Sequence, residues 1–177
     1  SIYTKPVGIG VLTAGIKGSL TDEETRTFAE GLMMTLNKYA RDIMVKYRVH
    51  ACTDVTGFGM MGHLLEMAQG SEAEVHLDLS GITFIPQALE LARLGVLPAG
   101  VYRNRHFAES WVEPGETELA VQDLLYDPQT SGGLMMAVHP EDAPALLEEL
   151  RQDNRVPAPQ LVGRVVPYQG DKRIYLY

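Results

Sequence analysis

The chain of 177 residues carries one cysteine, Cys52. No intrachain disulfide and no cysteine-based zinc cluster can form, a usage that fits a reducing compartment. Basic residues are in the minority: 15 Lys and Arg stand against 23 Asp and Glu, for a formal net charge of −8. That balance argues against a general nucleic-acid binder, which needs a basic face to neutralise phosphates, and it leaves no polybasic membrane footprint. No apolar run approaches the roughly 20 residues of a membrane span. The first residues lack the basic segment and apolar core of a secretory signal. These absences together lead us to expect a cytoplasmic protein. Repeats and low-complexity tracts are missing, as are a Walker A loop, a dinucleotide fingerprint and His-Glu-x-x-His; the five histidines show no ligand spacing.

What is present is ordinary bulk composition and unusual punctuation. Apolar residues make up 45%, enough for the core of one domain. Ser1-Ile2-Tyr3-Thr4-Lys5 reads as the middle of a strand with no Met start, so we expect a segment of a longer protein. Residues 2–5 are expected as strand and 11–16 as a short helix weakened by glycine. A long helix is expected over 21–47, opened by a Thr21/Glu24 capping box and carried by Phe28, Leu32, Leu36, Tyr39 and Ile43 at helical spacing. Residues 49–55 read as a buried strand, 57–70 as a helix and 73–79 as an alternating strand. Residues 86–95 form a helix bounded by Pro and Gly, and 96–115 have loop character. Helices over 116–125 and 140–153 and strands over 134–138, 162–166 and 173–177 complete the pattern. Strands and helices mix without βαβ alternation, which predicts an α+β fold with helices against one mixed or antiparallel sheet.

Three Gly-containing turns carry the chemistry. The first, Thr53-Asp54-Val55-Thr56-Gly57-Phe58-Gly59, follows an apolar strand, and the second, Asp127-Pro128-Gln129-Thr130-Ser131-Gly132-Gly133, lies between the apolar runs 124–126 and 134–138. Two turns rich in Thr, Asp and Gly in one small domain suggest a surface for phosphate and metal. A carboxylate at a strand end could bind Mg²⁺, which takes one or two carboxylates plus phosphate oxygens and water. Thr53 and Thr56 could add hydroxyls, and Gly57 and Gly59 open a helix whose N-terminus favours anions. Pattern alone favours Asp54 as a cap of that helix, and it reads the second turn equally well as a plain tight loop. The third turn, Thr4-Lys5-Pro6-Val7-Gly8-Ile9-Gly10, offers Lys5 either to phosphate or, as is commoner for lysine, to solvent. Cys52 reads as a buried small apolar residue and His63 as a helix-surface residue. The pairs Met33-Met34, Met60-Met61 and Met135-Met136 read as core packing.

These three turns, together with Ala51-Cys52 before the first, Met60-Met61-Gly62-His63-Leu64 after it, Arg103-Asn104, Leu125-Tyr126 and Leu134, resemble the selenophosphate synthetase (selenide, water dikinase) family. The resemblance extends over nearly the whole chain and is most specific in the pairing of the first two turns. It implies a PurM-type carboxy-terminal domain over residues 1–177, with a mixed sheet covered by helices and a partly ferredoxin-like topology, in a dimeric enzyme. It implies a reaction that makes selenophosphate from ATP, selenide and water and releases AMP and phosphate, with Mg²⁺ as cofactor. The family's catalytic Cys (or selenocysteine) and Lys belong to an amino-terminal ATP-binding segment outside these residues. The resemblance therefore assigns no catalytic residue here and implies that the isolated chain is inactive; Cys52 and Lys5 are not that pair. It makes Asp54 the metal-binding aspartate at the ATP phosphates. Thr53, Thr56, Gly57, Gly59, Asn104, Asp127, Gln129, Thr130, Ser131, Gly132 and Gly133 would line the same cleft. A stand-alone binding or assembly module of the same superfamily, or another PurM-type ATP-dependent enzyme, are the competing readings.

Overall fold

Strand β1 is only Ile2–Tyr3, and its two residues face opposite ways, as neighbours in a strand must. Ile2 enters a cluster of nine buried apolar residues and Tyr3 enters one of 31. The sheet that contains β1 therefore divides two cores. The computed structural model describes residues 1–177.

That sheet has the order β2-β5-β1-β6, built from β1, β2 (Val49–Asp54), β5 (Leu134–Val138) and β6 (Gln160–Leu161), with every neighbouring pair antiparallel. Read from the β6 edge, its strands come fourth, first, third and second along the chain, which is the ferredoxin-like order. Helices α3 (Lys38–Met44) and α8 (Ala143–Gln152) cover one face. Ala40 and Ile43 from the first, and Leu146, Leu147 and Leu150 from the second, cluster with Ile2, Leu134 and Met136.

The chain between β2 and β5 is an insertion into this motif and holds most of the larger core. It contributes β3 (Ala73–Leu77) and β4 (Val112–Glu113), which join β7 (Gly163–Pro167) and β8 (Ile174–Leu176) in a second sheet of order β4-β8-β3-β7. Here β3 runs antiparallel to β7 and parallel to β8, and β8 parallel to β4. The larger core also takes in α1 (Ile9–Lys17), α2 (Glu23–Met34), α4 (Gly59–Gly70), α5 (Pro86–Arg93), α6 (Ala99–Ala108) and α7 (Leu119–Tyr126). Met60, Met61, Leu64 and Leu65 of α4 are buried in the same cluster as Val75 and Leu77 of β3. The fold is α+β, as the unalternating pattern predicted, with two sheets instead of one. No helix is long and apolar enough to cross a membrane.

Three local expectations change. The helix expected over 21–47 is two helices. Asp22, not Thr21, caps the first, its carboxylate accepting from Thr25 N at 2.8 Å. The helix stops at Met34 and the chain resumes at Lys38. At this break Lys5 donates to the Thr35 carbonyl and Asn37 donates to the Gly132 carbonyl, so tertiary hydrogen bonds override a continuous apolar spacing. Phe28, Leu36 and Met34 are accordingly exposed, Met34 by 79%, and Met34 is not core. Residues 96–115, expected as loop, contain α6, which forms because Val101, Asn104 and Ala108 are buried where it packs on α4 and α7. Strand β2 is an edge strand with alternating exposure, and Cys52 lies on its more exposed face, not in the core.

Candidate functional site

Antiparallel pairing brings the two main turns together. Asp54, the last residue of β2, pairs with Leu134, the first of β5. The turn that leaves β2 and the turn that enters β5 must therefore share one end of the ladder. Val55 N donates to Gly133 O at 2.9 Å and Gln129 N to Thr56 O at 3.0 Å. The third turn grips the second: Gly133 N donates to Tyr3 Oη at 3.0 Å and Leu134 N to Thr4 Oγ1 at 2.9 Å. The approach is close enough to require glycine. A Cβ on Gly132 would lie 2.2 Å from the Val55 carbonyl, and one on Gly59, whose φ is +69°, would lie 2.8 Å from the Asp127 carbonyl.

Several residues expected on the cleft lie beneath it. Asp127 is fully buried. Its Oδ2 accepts from Gly10 N at 2.8 Å, Val11 N at 3.0 Å and Gln129 Nε2 at 3.1 Å. Gln129 Oε1 in turn accepts from Gly8 N at 3.2 Å. Helix α1 begins after Gly8, which has no side chain to cap it; Asp127 and Gln129 satisfy its first N–H groups from across the fold, as a cap would. Asp127 Oδ1 has no partner, and burial pushes this carboxyl up to about 7. Asn104 is also buried, its amide bracing the Gly57 carbonyl at 2.9 Å and the Tyr126 carbonyl at 2.8 Å. Gly59, Gly132 and Gly133 are contacts between turns. All six are scaffold, turned inward because helix ends and turn carbonyls need partners.

The outward face keeps Asp54, Thr56, Gly57, Thr130 and Ser131 exposed, with Thr53 half-buried beside them. Asp54 is not a helix cap: the N-cap of α4 is Phe58, and no side chain caps that helix. Only the Asp54 carbonyl, which accepts from Thr53 Oγ1, takes part in a side-chain hydrogen bond, so its carboxylate is available. Thr56 Oγ1 lies 3.1 Å from His63 Nε2, and His63 Nδ1 lies 3.3 Å from Glu66. His63 is thus buried against the turn and not on the helix surface. Phe58 stacks on Phe107 with centroids 6.0 Å apart.

No three His, Cys, Asp or Glu side chains gather to hold a metal ion by themselves. One free carboxylate at the rim of an exposed Thr/Ser surface fits a cation that is shared, with phosphate and water completing its shell. Cys52 lies two residues before Asp54 on the same face of the edge strand; partial burial and then the Asp54 charge push its thiol pKa up, which disfavours the thiolate a nucleophile needs.

Sequence reasoning missed Lys5. It is 2% exposed, and its Nζ donates to three carbonyls, Leu32 at 3.0 Å, Thr35 at 2.8 Å and Ser131 at 2.7 Å. Burial pulls its pKa down. A signal was available, since the stretch 2–9 has no polar alternation of the kind an exposed strand shows, and all of it is buried.

Comparison with known proteins agrees with this architecture. Residues 2–175 match the family described as AIR synthase related protein, C-terminal domain. The chain is 41% identical over 174 residues to a selenide, water dikinase of Clostridioides difficile (strain 630), covering 98% of this chain and 49% of that protein. It is 46% identical over 151 residues to one of Treponema denticola, covering 85% and 43%. The chain thus spans about half the length of the curated relatives it matches. Among solved structures, the hydrogenase maturation protein HypE of E. coli superposes with a TM-score of 0.68 at 18% identity, over 99% of this chain and 45% of that one. A HypE described as in complex with ATP gives 0.67 at 17% identity, over 96% and 42%. Thiamine-monophosphate kinase from Stenotrophomonas maltophilia K279a gives 0.65 at 14% identity, over 99% and 48%. At such identities these structures establish a common fold. With the family match over residues 2–175, the chain belongs to the AIR synthase related proteins, as a C-terminal domain of that family.

Proposed function

We propose that this chain is the C-terminal domain of a selenide, water dikinase and supplies the metal-holding rim of a phosphoryl-transfer site completed by the rest of a longer, dimeric, cytoplasmic protein. The dikinase assignment rests on relatives of that name, 41% and 46% identical over most of the chain. The geometric observation that carries the mechanism is the exposed, uncapped Asp54 carboxylate at the end of β2.

Phosphoryl transfer needs little covalent help from protein and much electrostatic help. Asp54 would hold Mg²⁺, which when bound neutralises charge on the phosphate oxygens of ATP. Thr130 and Ser131 present hydroxyls and backbone N–H groups on the same rim, donors suited to a transferring phosphate. Asp127, Gln129 and Asn104 keep that rim in shape from below. This chain has no activated nucleophile, so attack on the phosphorus and recognition of selenide fall to groups outside it.

The test compares the full-length protein with the isolated 177 residues, each incubated with ATP, Mg²⁺ and selenide, and follows nucleotides by chromatography. We expect AMP and phosphate from the full-length protein only when selenide is present, and none from the isolated chain. ADP formation indifferent to selenide would move the protein to another ATP-dependent branch of the family.

A further inference from the structure

A buried lysine with no carboxylate partner is unusual, because an ammonium removed from water needs strong compensation. Lys5 finds it in carbonyls alone, and those carbonyls come from two places. Leu32 O and Thr35 O lie at the C-terminal end of α2, where unsatisfied carbonyls and the helix dipole favour a cation. These two contacts would suffice to end the helix. The third, to Ser131, crosses to the exposed turn beside Asp54. A neighbouring tie runs parallel to it: Asn37, just past the end of α2, donates from Nδ2 to Gly132 O at 2.8 Å. Lys5 and the elbow's Asn37 thus hold two successive carbonyls of the second turn, those of Ser131 and Gly132.

Ser131 needs such a hold. Its φ is +51°, in the left-handed region that costs a residue with a side chain about 1 kcal/mol or more. A glycine there would adopt this shape freely; a serine adopts it with an exposed hydroxyl. Peptide planarity fixes the rest. With no cis peptide in the chain, turning the Ser131 carbonyl toward Lys5 turns the following Gly132 N–H the opposite way. The N–H groups of Thr130 and Ser131 donate to no atom of the protein, and both residues are exposed.

We propose that Lys5 is a positioning residue that pulls the Ser131 carbonyl inward so that the Gly132 N–H turns outward, beside the unpaired N–H groups of Thr130 and Ser131, toward the transferring phosphate. Asn37 steadies the same turn by holding the Gly132 carbonyl, whose following Gly133 N–H is kept on Tyr3. The proposal rests on the dikinase reading for the identity of that phosphate, but not for the mechanical tie itself. Lys5 touches no substrate and acts only through the turn. If the donors it orients meet charge that builds up during transfer, losing the tie weakens the transition state more than the bound ATP.

The experiment uses the full-length protein with Lys5→Met and Asn37→Ala. Lys5→Met removes the donor from three carbonyls, one of them on buried Leu32, and lowers stability on its own, so Asn37→Ala, at a half-buried side chain with a single bond, is the decisive variant. Thermal midpoints, kcat and KM for ATP in selenide-dependent AMP formation, and amide hydrogen exchange at residues 130–133 are measured for each. We expect a folded Asn37→Ala protein with kcat reduced about tenfold, KM for ATP within about twofold, and exchange accelerated only in the turn. An unchanged kcat in that folded variant, or losses that track the unfolded fraction, overturns the proposal. Should the unmodified protein make no AMP from selenide, the dikinase reading fails separately. Hydrogen exchange then decides alone: faster exchange confined to 130–133 upholds the tie, and unchanged exchange refutes it.

Discussion

Asp54 and Asp127 sit in neighbouring turns with opposite surroundings, and their chemistry follows from that difference. Asp54 is exposed and caps nothing, so Asp54→Asn in the full-length protein removes a charge without disturbing packing. We expect unfolding free energy within about 0.5 kcal/mol of the unmodified protein and a turnover at least about a hundredfold lower, with a changed Mg²⁺ dependence. A mutant that keeps the original Mg²⁺ curve would take the metal away from this residue. Asp127 is buried with its pKa pushed up to about 7, above the roughly 3.9 of an unfolded chain. Between those values the folded protein holds a proton that the unfolded chain has released. Its contribution to stability is therefore complete below about pH 4 and is lost as pH climbs toward 7. Asp127→Asn keeps an acceptor for Gly10 and Val11 but cannot ionise. Thermal midpoints from pH 5 to 8 should shift in the variant's favour as pH rises; parallel curves would contradict the raised pKa.

Among elements, the informative contrast is between glycines that the turns need for contact and those they do not. A Cβ on Gly132 meets the Val55 carbonyl at 2.2 Å, whereas one on Gly57 meets nothing within 4 Å, and Gly57 is not at positive φ. Urea titrations of Gly132→Ala should show a loss of about 1–3 kcal/mol, while Gly57→Ala should stay within about 1 kcal/mol. Equal losses would mean that the turns do not interlock as described. The break between α2 and α3 has the same character. Apolar spacing runs through it, and the first helix ends where Lys5 and Asn37 bond to partners distant in the sequence.

Across the molecule, the first sheet joins two cores through adjacent residues, Ile2 on one side and Tyr3 on the other. Each core packs against the strand that walls the other, so loosening one removes support from the other. We therefore expect one unfolding transition, with the fluorescence of the single Trp111 and far-UV circular dichroism giving coincident curves. Separate midpoints would show that the insertion between β2 and β5 melts by itself.

The sequence alone determined the α+β class, most helices and strands, and the pairing of two Thr/Asp/Gly turns as the place to look. Local spacing and turn chemistry encode those features within a few residues. It also singled out Asp54, whose neighbours in the chain leave no other acid at that strand end. The tertiary structure decided which polar residues of the turns face out. Asp127, Gln129 and Asn104 look as exposed in the sequence as Thr130 and Ser131, yet the orphan N–H groups of α1 and the carbonyls of the first turn draw them inward. Lys5 was illegible for the same reason: its three acceptors lie 27, 30 and 126 residues away. A buried polar group takes whichever partner folding brings to it, and no local pattern records a partner so distant.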